Sequence, residues 1–118
     1  MSDLTNHVRG MLEMGTGTDL HGGDYTKAAC RAVKDALQHS SLNFVRSLDL
    51  DTSQLPIQVT IGVTQPDAVD ISAVAACFPM GVVTVNAVAG GLDVPGAQAD
   101  DFAVIASAAI EVYIPRRA

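Results

Sequence analysis

The chain has 118 residues, 48% of them hydrophobic but only 4% aromatic, and a formal net charge of −6. That length suits a single domain, 1–118, with a core of aliphatic side chains and a flexible tail over 1–6. An acidic chain argues against a nucleic-acid partner, whose phosphates need a basic surface, and no apolar run reaches membrane-spanning length.

In chain order, His7–Met14 reads as a strand with Val8, Leu12 and Met14 on one face and Arg9, Met11 and Glu13 on the other. Gly10 weakens the strand or marks a bulge. Gly15–Gly23 is read as an irregular, glycine-rich connection. Asp24 is a helix N-cap, and the helix runs to about His39 with Ala29, Ala32, Val33, Ala36 and Leu37 on its buried face. Ser40–Leu50 is a candidate short helix, followed by a turn-rich connection. Ile57, Val59, Ile61 and Val63 alternate with Gln58, Thr60, Gly62 and Thr64, the clearest period-two pattern in the chain. Asp70 caps a second helix with Ile71, Val74, Ala75 and Phe78 on one face, and Pro79 ends it. Val82–Val88 is a third strand, Gly90–Asp101 a long loop, and Phe102–Ile114 a fourth strand. Its buried face holds Val104, Ala106, Ala108, Ile110, Val112 and Ile114, opposite Ser107, Glu111 and Tyr113.

The fold class is therefore α/β: a β-α-β-α-β-β mixed sheet with both helices on one face. The other face would carry Glu13, Thr60, Thr64, Thr84, Asn86, Ser107 and Glu111. Such a face can simply be solvated, but its short polar side chains suit the inside of a barrel formed by several subunits, the reading favoured here.

The stretch from Glu13 to Lys27 concentrates chemistry. Gly15, Gly17, Gly22 and Gly23 can aim backbone N–H groups at a ligand, beside the N-terminus of a helix. Thr26 joins this ligand-binding set. Lys27 and Arg31, one turn apart, would partner an anion. His21 is the proton carrier, oriented by Asp19, and Glu13 is a second acid or base. Asp19, His21 and Asp24 could hold a metal, but no second His or Cys is near in sequence, so no metal is assigned. The run matches neither phosphate-loop spacing, so no nucleotide is assigned either. Ser72 and Ser107 have no adjacent base, and Cys30 has no activating partner. Cys30 and Cys77 read as reduced structural thiols of a cytoplasmic protein.

The run Met14-Gly-Thr-Gly-Thr-Asp19-Leu-His21-Gly-Gly-Asp24-Tyr-Thr26-Lys27-Ala-Ala-Cys-Arg31-Ala-Val resembles the pattern G-x-G-x-D-x-H-G-x-D-x-T-K-A-A-x-R-A-V of a family of small, conserved, largely uncharacterised bacterial and plant proteins. Ile61-Gly62-Val63 with Pro66, Phe78-Pro79-Met80-Gly81 and Gly90-Gly91-Leu92 with Val94-Pro95-Gly96 agree with it. The element order resembles the Bacillus-type chorismate mutase fold, which the YjgF/RidA imine hydrolases share. That resemblance implies a homotrimer with ligand clefts between subunits. The ring-opening amidohydrolases of cyanuric and barbituric acids are similar in architecture, but their serine–lysine motifs are not found here. Together these readings imply a cofactor-independent enzyme acting on a small polar or anionic metabolite, by C–N hydrolysis, ring opening or tautomerisation. The alternatives are a non-catalytic binding or structural subunit of a larger complex, and a metal-dependent hydrolase.

Overall fold

The computed structural model describes residues 4–38, 48, 50–98 and 100–116. The elements are β1 (His7–Asp19), α1 (Tyr25–Gln38), a 3-10 turn (Thr52–Gln54), β2 (Pro56–Val63), a second 3-10 turn (Pro66–Ala68), α2 (Ile71–Ala75), β3 (Val82–Ala89), β4 (Leu92–Pro95) and β5 (Phe102–Pro115). The expected helix within 40–50 and the position of His39 lie outside the described residues, apart from Leu48 and Leu50.

The sheet runs β1-β5-β2-β3, with β4 also paired to β5. β5 is its spine. β1 lies antiparallel along one edge of β5. Along the other edge lie β2, over Val112 to Ser107, and then β4, over Ile105 to Phe102. β2 and β3 are parallel, so the sheet is mixed. β4 falls inside the segment expected to be a plain loop. After β3 the chain crosses the end of β2 to reach β5, and Gly90 donates its N–H to the Val63 carbonyl at 2.9 Å.

The core lies between the sheet and the helices. Ile57, Val59, Ile61 and Val63 of β2 and Val104, Ala106, Ala108, Ile110 and Val112 of β5 are buried, as period-two alternation requires. Each buried Val or Ile contributes about 1.5–3 kcal/mol of transfer free energy. Ala28, Ala29, Ala32, Val33 and Ala36 of α1 close the layer. α2 stops at Ala75, short of the expected end at Pro79, and buries only Val74; Ile71 is left 48% exposed.

Two expectations about β1 are corrected. First, the strand continues through Gly15-Thr16-Gly17-Thr18 to Asp19, and these residues keep register with β5. Gly15 and Gly17 are there because α1 lies directly on them. A Cβ on Gly15 would sit 2.5 Å from the Ala36 nitrogen, and one on Gly17 would collide with the Ala28 carbonyl and the Ala32 nitrogen. Second, the register slips between Arg9 and Met11. This bulge at Gly10 inserts one residue and reverses the facing of every later side chain in the strand. Val8 pairs with Ile114 on the helix side, whereas Leu12 pairs with Glu111 on the open side. Glu13 pairs with Ile110, a buried core residue, so it lies on the helix side. Glu13 and Glu111 therefore sit on opposite faces and share no cavity.

The backbone contact under Gly17 sets a test. Gly17→Ala forces α1 off β1 and should cost about 2–3 kcal/mol, the upper range for overpacking a core. At Gly10 the nearest atoms belong to the Ile114 side chain, at 3.1 Å, which can turn aside. Gly10→Ala should lose less than about 1 kcal/mol. Urea denaturation of both variants checks the difference.

Candidate functional site

Asp19 ends β1 and is only 4% exposed. Its Oδ2 accepts the Asp24 N–H at 2.9 Å. Its Oδ1 faces Arg31 at 3.6 Å and Lys27 at 4.0 Å. The Arg31 guanidinium also donates to the Thr18 carbonyl at 2.6 Å. The two cations expected to hold a ligand anion thus flank a carboxylate of their own chain. Both are half-exposed, so solvent screens the pairs and Asp19 acts chiefly as an anchor of the strand–helix junction.

Asp24 caps α1 as expected, accepting the Lys27 N–H at 3.0 Å. Thr26 is engaged as well: its hydroxyl oxygen accepts the Asp70 N–H at 2.9 Å and ties α1 to the turn before α2. Asp70 in turn caps α2 through the Ser72 and Ala73 N–H groups. Thr26 thus ties α1 to the turn before α2, while Asp19 is engaged by Asp24, Lys27 and Arg31.

His21 is oriented by a different acid. Its Nδ1 lies 3.0 Å from Asp101 Oδ2, and the Gly22 N–H donates to the other Asp101 oxygen at 3.1 Å. The His21 ring is 85% exposed. The hydrogen bond from His21, then that from Gly22, holds the Asp101 carboxyl below the usual carboxylate range. The anion-cradle reading of the loop changes accordingly. Gly15 and Gly17 are strand residues covered by α1, and the Gly22 and Asp24 N–H groups already serve Asp101 and Asp19.

Gly22 and Gly23 do remain at a site. Their φ angles of 92° and 61° are open to glycine at no steric cost. They line a cleft of about 170 Å³ with Tyr25, Gln65, Asp93 and Phe102. Asp93 is its centre. One carboxylate oxygen accepts the Tyr25 hydroxyl at 2.5 Å and the Thr64 hydroxyl at 2.6 Å. The other oxygen, Oδ1, is buried without a hydrogen-bond partner. The Asp93 hydrogen bond is the main reason the Tyr25 phenol is pushed above its ordinary range. Sequence reasoning missed Tyr25, Thr64, Gln65, Asp93, Asp101 and Phe102 as one cluster. Its only trace was Gly90-Gly91-Leu92-Asp93, a turn that carries an acid into a strand.

Cys30 and Cys77 are free thiols. Both approach the Ala73 carbonyl, at 3.9 and 3.5 Å. Burial first, then the neighbouring Cys77 thiol, pushes the Cys30 thiol up to about 11, which keeps it a poor nucleophile. Among the described residues no three His, Cys, Asp or Glu side chains gather as metal ligands. No helix of the described residues is long and apolar enough to cross a membrane.

The raised phenol gives a pH signature. A group whose folded pKa exceeds its unfolded value stabilises the fold below the unfolded pKa and loses that contribution as pH rises through the folded one. Tyr25 should therefore stay protonated through the ordinary phenol range and ionise above it. In a Tyr113→Phe background, which leaves one tyrosine, Asp93→Asn should move the phenolate absorbance transition down in pH. The alkaline loss of stability, which begins at the unfolded-state phenol pKa in both proteins, should then be smaller and end at a lower pH.

No curated protein matches the chain. A solved structure, that of an FtsZ-like protein of unknown function from Nostoc punctiforme PCC 73102, is similar to it. The two are 34% identical with a TM-score of 0.82, over 93% of this chain and 98% of that one. The family described as "Conserved hypothetical protein (Lin0512_fam)" matches residues 9–112, a span that includes the glycine-rich strand, the capped helix and the whole cleft, and the chain belongs to that family.

Proposed function

We propose that the chain is a cofactor-independent enzyme that binds a small polar metabolite in the Gly22–Phe102 cleft and moves a proton with His21. The observation that carries this reading is the cleft itself, where Asp93, held by the Tyr25 and Thr64 hydroxyls, lies beside Gly22 and Phe102, the chain neighbours of the His21–Asp101 pair. With the Lys27 and Arg31 charges directed at Asp19 and with Asp93 and Asp101 near the cleft, the ligand presents hydrogen-bond donors rather than an anion. His21 precedes Gly22 and Asp101 precedes Phe102 in the chain, which supports placing the His–Asp pair beside the same cleft. With Nδ1 engaged by Asp101, Nε2 is the atom that exchanges a proton with substrate. Hydrolysis or ring opening of a C–N bond, or a tautomerisation, fits a donor-rich ligand and a single proton carrier.

The finer architecture we propose is a chorismate mutase-like trimer in the cytoplasm. It is supported by the element order, by both helices lying on one side, and by Leu12, Met14, Val82, Val88, Leu92 and Val94 exposed on strands of the sheet. The same apolar surface supports the second reading, a non-catalytic subunit that docks on a larger enzyme.

A thermal-shift screen of small amides, ureas, imines and nitrogen heterocycles tests the site. At least one compound should raise the melting temperature of the wild type and not that of Asp93→Asn. His21→Gln should keep the shift and lose turnover by about 10²–10⁴-fold, the usual contribution of a general acid–base group. Equal shifts in wild type and Asp93→Asn would remove the cleft from consideration.

A further inference from the structure

β3 is an edge strand. β2 occupies one side of it in eight consecutive pairs, and among the described residues nothing pairs with the other side. Exposed edges are ordinarily blunted by charges, proline or bulges. The outer edge of β1 follows that rule, with a bulge at Gly10, Arg9 beside it, and the Asp35 carboxylate accepting the Thr16 N–H at 2.9 Å. β3 has none of these devices. Val82-Val83-Thr84-Val85-Asn86-Ala87-Val88-Ala89 holds no charge and no proline. Val82 and Val88 are 50% and 40% exposed. Beside this edge runs a groove of about 280 Å³, lined by Ile71, Ser72 and Ala75 of α2 and by Val83, Thr84 and Val85.

We propose that β3 pairs antiparallel with β3 of a second copy of this chain, about a twofold axis at Val85, joining two sheets into one. The occupant is argued from the sequence of the strand. An antiparallel partner must present complementary residues in reverse order, and β3 is close to its own reverse about Val85. Val82 meets Val88 of the partner subunit, and Thr84 meets Asn86 of the partner subunit, both on the open face. Val85 meets Val85 of the partner subunit on the helix face. Apolar residues face apolar ones, and a hydroxyl faces an amide. The seam buries no charge, in a chain whose net charge of −6 makes two copies repel elsewhere. A perpendicular twofold keeps both helix layers on one side, so Ile71 of each copy covers the groove beside the seam. This contact is independent of the cleft chemistry. It gives even-numbered assemblies: a dimer, or a hexamer where trimers also form.

Native mass spectrometry of the wild type should give a dimer or a multiple of two. Thr84→Lys with Asn86→Lys sets two like-charged pairs across the seam and should weaken dimerisation at least about 10-fold. Mixing that variant with Thr84→Glu/Asn86→Glu should restore a one-to-one heterodimer. Ile71→Lys, on the helix side, should weaken the seam without touching the open face. In a Cys30→Ser/Cys77→Ser background, Val85→Cys should cross-link to a covalent dimer under diamide. That readout decides the matter if the lysine variant does not fold. A wild type that stays monomeric or purely trimeric, or a folded lysine variant with wild-type mass, overturns the proposal, as does the absence of the cross-link.

Discussion

The structure depends on one close approach. α1 lies on β1 with no side chain between them, because Gly15 and Gly17 present bare backbone to Ala28, Ala32 and Ala36. The approach works only if the facing residues of both elements are minimal, and here two glycines meet three alanines. It places the start of α1 immediately beside the end of β1. Asp19 can then cap inward to Asp24 and meet Lys27 and Arg31 across one turn of helix. The short connection that results, Leu20–Asp24, holds Gly22 and Gly23 against the cleft, with His21 beside them in the chain.

The second constraint is the spine strand β5. It is long enough to pair with β1 over its whole length on one side and with β2 and then β4 on the other. β4 can take over only because Gly90 and Gly91 let the chain pass close over Gly62. That crossing carries Asp93 to the Tyr25 and Thr64 hydroxyls. The cleft is therefore built where three remote segments converge: the strand–helix turn, the end of β2, and the crossing into β4.

Much of the candidate site was visible in the chain as location but not as assignment. Gly22 and Gly23 do line the cleft, His21 precedes them in the chain, and Asp24 does cap α1. Asp19, Lys27 and Arg31 face one another, since the helix brings opposite charges together that linear spacing showed only as neighbours. The acid that orients His21 is Asp101, 80 positions away in sequence. The facing of Glu13 changed for a local reason: one bulged residue at Gly10 moved it to the core side, and period-two reasoning carries no signal for such a slip.

The amino-acid sequence by itself determined the local order. Alternation named β2 and both faces of β5, the alanine-rich stripe named the buried side of α1, and the Asp residues named the helix starts. These rest on periodicities of two and 3.6 residues and on cap chemistry, which need no distant partner. Tertiary structure alone decided that the glycines of β1 lie directly under α1. It alone assembled Tyr25, Thr64 and Asp93, and it alone left β3 at an open edge. Each of these depends on which remote segment fills the space beside a residue, and a linear pattern does not hold that information.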